Sequence, residues 1–357
     1  MIKRYLLILF NTFIVICLID GVLDIGAGIA QRVRPAIAAV VAPGKADDAE
    51  VIRQRIVSDR MAIMRGMPVS YVPGVGEVLE PATAPGVTIG PGGERLHGGQ
   101  AATDDDRRQI LLLGASQAFG FLNADENTLA ARLEHQMPGV TVRNFAGPGQ
   151  RLAASVMVLR QRIAAGDRID RAVLIGGAID ALALCSPRST QAAPLLRPFL
   201  LDVARRLRDV FSARPASAPY ACATPDAQRD MADRVIYDIE NVLAFADRHH
   251  IRLTIIMPPT PHDADGDDSG VVDQDEWQRL SQRVGPAIRT LRDRIATLNL
   301  PGVVDLGDAF DDHANGFLDP TGHFTDEGNE ILARAIAAIP DIATMRTGPA
   351  IAAPRPD

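Results

Sequence analysis

The sequence predicts an α/β fold, a central parallel sheet layered between helices and preceded by an N-terminal membrane helix. Three observations predict it. Short apolar runs alternate with amphipathic stretches from Arg108 onward, the pattern of a parallel sheet covered on both faces. The run Ile110-Leu111-Leu112-Leu113 ends in Gly114-Ala115-Ser116, placing a glycine-flanked serine where open α/β sheets bind their ligands. The chain also opens on Met1-Ile2-Lys3-Arg4 and an apolar stretch from Tyr5 to Ile19, a basic start followed by a hydrophobic segment.

That opening reads as a signal anchor over residues 1–30. Only Asn11-Thr12 interrupts the run, and Asp20 and Asp24 follow it. Gly28-Ile29-Ala30 offers a poor small-x-small cleavage site, so the alternative is a cleaved signal peptide; an ordinary buried helix is the bland reading. Lys3 and Arg4 are balanced by Arg32 and Arg34, which leaves orientation open. Residues 31–107 follow as a juxtamembrane helix and an irregular segment, in which Pro68, Pro73, Pro81, Pro85 and Pro91 exclude helix after residue 65 but allow short strands such as Val87-Thr88-Ile89.

The main domain spans residues 108–345. Its expected strands are Ile110–Leu113, Val140–Asn144, Arg171–Ile175, Arg252–Met257 and Val303–Asp305. Its expected helices are 127–136, 152–165, 226–249, 274–298 and 326–339, the last stopped by Pro340. Residues 183–225, rich in Pro, Ser and Ala, form an insertion between two of these units, and 346–357 read as a disordered tail. Hydrophobic residues make up 47% of the 357, enough for a sizeable core. The formal net charge of -7 and the lack of a basic patch interleaved with aromatics argue against nucleic-acid binding. Gly114 to Gly120 does not fit a dinucleotide fingerprint. The acidic stretches 104–106 and 263–268 lack the glycine and glutamate of a calcium loop.

The chemistry-bearing motifs lie about two hundred residues apart. Ser116 ends the first strand; Asp319-Pro320-Thr321-Gly322-His323-Phe324-Thr325-Asp326-Glu327-Gly328 precedes the last helix. A serine hydroxyl needs an imidazole to take its proton, and a carboxylate fixes the tautomer of that imidazole. Taken singly, Ser116 and His323 read equally as helix-capping residues, Asp319 as a turn residue and Asp180 as a structural cap. Asp311 and Asp312 are alternative orienting acids.

Four blocks carry a resemblance. Gly114-Ala115-Ser116, Asn144-Phe145-Ala146-Gly147-Pro148-Gly149, Gly177-Ala178-Ile179-Asp180 and Asp319 to His323 resemble, in order, the four blocks of the SGNH/GDSL hydrolase superfamily, in its membrane-anchored bacterial branch. The resemblance implies a flavodoxin-like three-layer sandwich without cofactor or metal. It implies Ser116 as nucleophile, His323 as base, Asp319 as orienting acid, and Gly149 and the Gly177–Ile179 block at the oxyanion site. The chain departs from the pattern at three points. Ala115 replaces an aspartate. Ile179 replaces an asparagine that would donate to the oxyanion, a loss worth ~10²–10³ in rate. Asp319 precedes His323 by four positions instead of three.

The implied activity is hydrolysis of small acyl esters, with O-acetyl groups on carbohydrate as the substrate class. Alternatives are an exopolysaccharide O-acyltransferase with the same triad and a catalytically degenerate module of an envelope-polysaccharide system. The expected location is the bacterial inner membrane, single-pass, with the domain on the periplasmic side; protein partners are not legible. In an oxidising compartment Cys185 and Cys222 would close a loop of ~36 residues, worth roughly 3–4 kcal/mol. Two unrelated thiols are the alternative. Cys17 lies inside the apolar run.

Overall fold

A computed structural model describes residues 48–97, 107–185, 221–262, 274–311, 313 and 315–346. The expected anchor, the tail and most of the insertion lie outside the described residues. Among the described residues no helix is long and apolar enough to cross a membrane. The described residues from 49 onward group as one compact unit.

The parallel strands are β6 (Arg108–Gly114), β7 (Val140–Asn144), β8 (Arg171–Ile175), β9 (Leu253–Met257) and β10 (Val303–Asp305). They pair in the order β10-β9-β8-β6-β7. The chain leaves β6 toward β7 on one side and then returns to place β8 on the other. Strand order therefore reverses at β6, and the loops after β6 and its neighbours flank the crevice that such a reversal opens.

Alternation along β6 sorts the two faces. Ile110 and Leu112 join one buried cluster with Leu129, Leu133, Ile331, Leu332 and Ile336, from α3 (Leu129–Gln136) and α8 (Asp326–Ala338). Leu111 and Leu113 join the other, with Leu152, Leu159, Val235, Ile239, Ile288 and Leu291. These come from α4 (Leu152–Ala164), α6 (Pro225–Arg248) and α7 (Gln274–Leu298). Strands buried on both faces read as continuous apolar runs, which is why β6, β8 and β9 were legible.

The sheet is mixed, not wholly parallel as expected. α1 (Asp48–Gly66) falls where a helix was expected, and the segment read as irregular carries five short strands: β1 (Val69–Val72), β2 (Gly76–Leu79), β3 (Ala82–Ala84), β4 (Val87–Ile89) and β5 (Arg95–Leu96). β5, β4 and β3 extend the sheet antiparallel beyond β7, Arg95 pairing with Asn144. Val87 and Ile89 are buried and the intervening Thr88 is half-buried, and that docking holds strands of two to three residues that could not persist alone. β1 and β2 form a separate hairpin.

Cys185, the last residue of α5 (Ala178–Cys185), is joined to Cys222 by a disulfide with Cα atoms 5.0 Å apart. Both residues are buried against α6 and α7.

Candidate active site

β6 ends at Gly114, whose φ of +136° and close approach to the Ile175 carbonyl leave no room for a Cβ. The chain then turns sharply. Ala115 occupies the N-cap position with extended dihedrals, and the single-turn helix α2 (Ser116–Phe119) begins at Ser116. Ser116 therefore does not cap this helix; it is the first helical residue and is partly exposed. The second block docks beside it. Gly147 N–H donates to Gly114 O at 3.0 Å, and the buried Asn144 donates from Nδ2 to Ala118 O at 3.0 Å. Gly149 sits exposed in the left-handed region at φ +72°. No described residue accepts a hydrogen bond from the backbone N–H of Ser116 or of Gly149.

The fourth block folds into a tight turn ahead of α8. Gly322 N–H donates to Asp319 O at 3.0 Å, and Leu318 N–H donates to His323 O at 2.7 Å. The turn needs Gly322 at φ +90°. It also absorbs the extra residue: with a spacing of four, His323 Nδ1 still lies 2.6 Å from Asp319 Oδ2. Asp319 Oδ1 accepts from Thr321 N–H at 3.1 Å, Thr321 Oγ1 at 2.8 Å and His323 N–H at 3.2 Å, so both carboxylate oxygens are engaged. Burial by itself would raise the Asp319 pKa. The hydrogen bond and charge of His323, with the bonds from His323 N–H and Thr321, outweigh it and hold the carboxyl below its ordinary value. With Nδ1–H directed at Asp319, a neutral imidazole presents Nε2 as an acceptor.

Three contacts bring the two distant motifs together. Gln117 Nε2 donates to Gly322 O at 2.9 Å, although 205 positions separate them. Phe121 stacks on the His323 ring, centroids 5.2 Å apart and planes at 25°. Asn123 Nδ2 donates to Phe324 O at 3.1 Å. The third block completes the edge. Gly177, at φ +90°, leads into α5, and Ile179 shares a narrow cleft with Gln117, Thr260, His262 and Thr321.

Asp180 is buried and does structural work, as its bland reading held. It accepts from Leu152 N–H at 3.1 Å and from Gly177 N–H at 3.2 Å, tying the start of α4 to the third block. Desolvation pushes its pKa up to about 6, opposed by those two bonds and by Arg151. Asp311 lies on an exposed turn, and Asp312 lies outside the described residues. Among the described residues no group of three or more His, Cys, Asp or Glu is placed to hold a metal ion.

Sequence reasoning missed Gln117, Phe121 and Thr321. Thr321 stands between Asp319 and His323 in the motif and was legible as a polar turn residue. Nothing in the sequence marks Gln117 or Phe121, whose partners come from the other end of the chain.

No family profile matches the chain, and no curated protein matches it either. Solved structures do. A lipolytic protein of the G-D-S-L family from Veillonella parvula is 14% identical, with a TM-score of 0.38, over 65% of this chain and 98% of its own. A lipase/acylhydrolase from Enterococcus faecalis is 19% identical, with a TM-score of 0.37, over 69% of this chain and 100% of its own. An acetyl xylan esterase is 11% identical, with a TM-score of 0.38, over 65% of this chain and 99% of its own. Identities and scores this low decide neither family nor activity.

Proposed function

We propose that the chain is a serine esterase of the SGNH/GDSL type, using Ser116, His323 and Asp319 to remove small acyl groups. The observation that carries this reading is the 2.6 Å pair of His323 Nδ1 and Asp319 Oδ2, in a turn that Gln117 bonds to the Ser116 helix. In the reaction His323 Nε2 takes the Ser116 hydroxyl proton as Oγ attacks the ester carbonyl carbon. The oxyanion forms toward the backbone N–H groups of Ser116 and Gly149. His323 then returns the proton to the departing alcohol, leaving acyl-Ser116, and water repeats the sequence to release the acid. Asp319 keeps Nδ1 protonated and stabilises the imidazolium. Acetyl esters of carbohydrate are the substrate class that the four blocks imply. Residues 1–30 anchor the protein in the inner membrane with this domain outside, a reading supported by the basic start, the apolar run and the Cys185–Cys222 disulfide.

A fluorophosphonate probe and p-nitrophenyl acetate test the activity. Labelling of Ser116, with turnover abolished in Ser116→Ala, is the expected result. Turnover unchanged in that variant would sink the assignment. The second reading, a non-catalytic module of an envelope-polysaccharide system, draws on Ile179, which offers no donor where an oxyanion would form. Well-folded protein that leaves the probe unreacted would favour it.

A further inference from the structure

Behind the nucleophile turn sits a charged side chain that the chemistry above does not use. Arg95, on β5, has a side chain with no exposure at all. A guanidinium carries five N–H donors in a fixed fork, and here each has an acceptor. Nε donates to Asp125 Oδ1 at 3.2 Å. One Nη donates to Phe119 O at 3.0 Å and to Gly120 O. The other donates to Asn123 O at 2.7 Å and Gly86 O at 3.2 Å. The guanidinium carbon also lies 4.7 Å from the centroid of the Phe119 ring.

Burying a cation is costly, and apolar residues often replace buried ion pairs without loss of stability. Desolvation lowers the Arg95 pKa to about 10 despite Asp125. The choice of acceptors points to what the group does there. Three of the four carbonyls belong to residues 119–123, the segment that ends the Ser116 helix and presents Phe121 to the His323 ring. Asn123, whose carbonyl Arg95 holds, extends its own side chain to Phe324 O and Asp326 Oδ1. One planar fork thus fixes a backbone segment that touches both motifs.

We propose that Arg95 is a positioning residue for the Ser116–His323 pair, locking residues 119–123 so that the nucleophile helix and the Phe121-stacked imidazole keep a single register. The proposal rests on the esterase reading, in which those two side chains react. Lysine at this position keeps the charge beside Asp125 and Phe119 but has three donors on one flexible nitrogen, and cannot span the four carbonyls.

The test compares the full-length wild type with Arg95→Lys and Phe121→Leu, reading thermal unfolding, kcat and KM for p-nitrophenyl acetate, and the rate of fluorophosphonate labelling at Ser116. The expected result for Arg95→Lys is a fall in kcat of about 10- to 100-fold, the scale of a small misplacement. The labelling rate should fall in parallel while KM stays within about twofold. Phe121→Leu keeps the fork and removes only the ring stack. It carries the test if Arg95→Lys does not fold, and should lower kcat and labelling in the same sense. A folded Arg95→Lys that labels and turns over as the wild type does would overturn this proposal alone, as would an unchanged Phe121→Leu where the lysine variant fails to fold. A wild type that neither labels nor turns over ester would overturn the esterase reading and this proposal together.

Discussion

The Ile179 side chain stands where the resemblance to SGNH/GDSL hydrolases expects an oxyanion donor, and it shares its cleft with Gln117 and Thr321. Replacing it by asparagine adds an N–H₂ group in that cleft. If the triad works, Ile179→Asn should raise kcat by about 10-fold or more, since one oxyanion donor is worth that or better. An unchanged rate in a folded variant would mean that Gln117, Thr321 or another group already serves. Asp319→Asn should lower kcat by about 10³- to 10⁴-fold, because an amide favours the wrong imidazole tautomer; a loss below tenfold would remove Asp319 from the mechanism. The same carboxylate contributes to stability with a definite sign. Its folded pKa lies below the unfolded value, so its contribution is present above the ordinary carboxylate range and is lost as pH falls through the lowered value.

At the scale of elements, Asp180 works in the opposite sense. One carboxylate joins the first residue of α4 to the turn before α5, two elements that a strand and its loops separate. Its pKa rises from 3.8 to about 6, so the stability linked to it is present below the lower value and lost as pH rises through the upper one. At ~1.4 kcal/mol per unit the effect is of order 3 kcal/mol. Urea unfolding at pH 4 and pH 7 should show the wild type losing more stability between the two than Asp180→Asn does. Equal losses in the two proteins would refute the assignment. The elements also differ in how they announced themselves. β7, β8 and β10 match their expected limits to the residue, because the apolar run and its flanking turns are local signals. Of the short N-terminal strands only β4 was foreshadowed, as the possible strand Val87-Thr88-Ile89; β1, β2, β3 and β5 left no such trace. At two to three residues among prolines and glycines, β3 to β5 are held by the edge of β7 rather than by their own composition, and β1 and β2 pair only with each other. Arg95 was illegible for a related reason. A lone arginine in sequence reads as surface, and the carbonyls that surround it are contributed by residues 86 and 119–123.

For the whole molecule, the disulfide is the strongest single constraint on the unfolded chain. Cys185 and Cys222 lie 37 positions apart, and closing that loop is worth about 4 kcal/mol in the chain-entropy account. Cys185→Ser with Cys222→Ser should lower stability by about 3–4 kcal/mol, read by urea unfolding of the purified protein. Three free thiols in wild-type protein expressed in an oxidising compartment, where the bridge would leave only Cys17, would count against the bridge and weaken the extracytoplasmic reading. The candidate triad was legible because three residues sit at the ends of recognisable elements, Ser116 after a strand and Asp319 and His323 before a helix. How a spacing of four still delivers the carboxylate to Nδ1 was not, since it depends on a turn closed by Thr321 and Gly322.

The bridge also gives the chain a property beyond its contribution to stability. Because Cys185 and Cys222 meet, the two ends of the stretch between them are held together, with Cα atoms 5.0 Å apart. The body therefore registers where that stretch is stapled rather than how long it is, and lengthening such a closed loop twofold costs only about 0.6 kcal/mol. A stretch held in this way is an exchangeable cassette. Selection, or an engineer, could replace it wholesale while leaving the sheet, the Asp319–His323 turn and the Arg95 fork as they are.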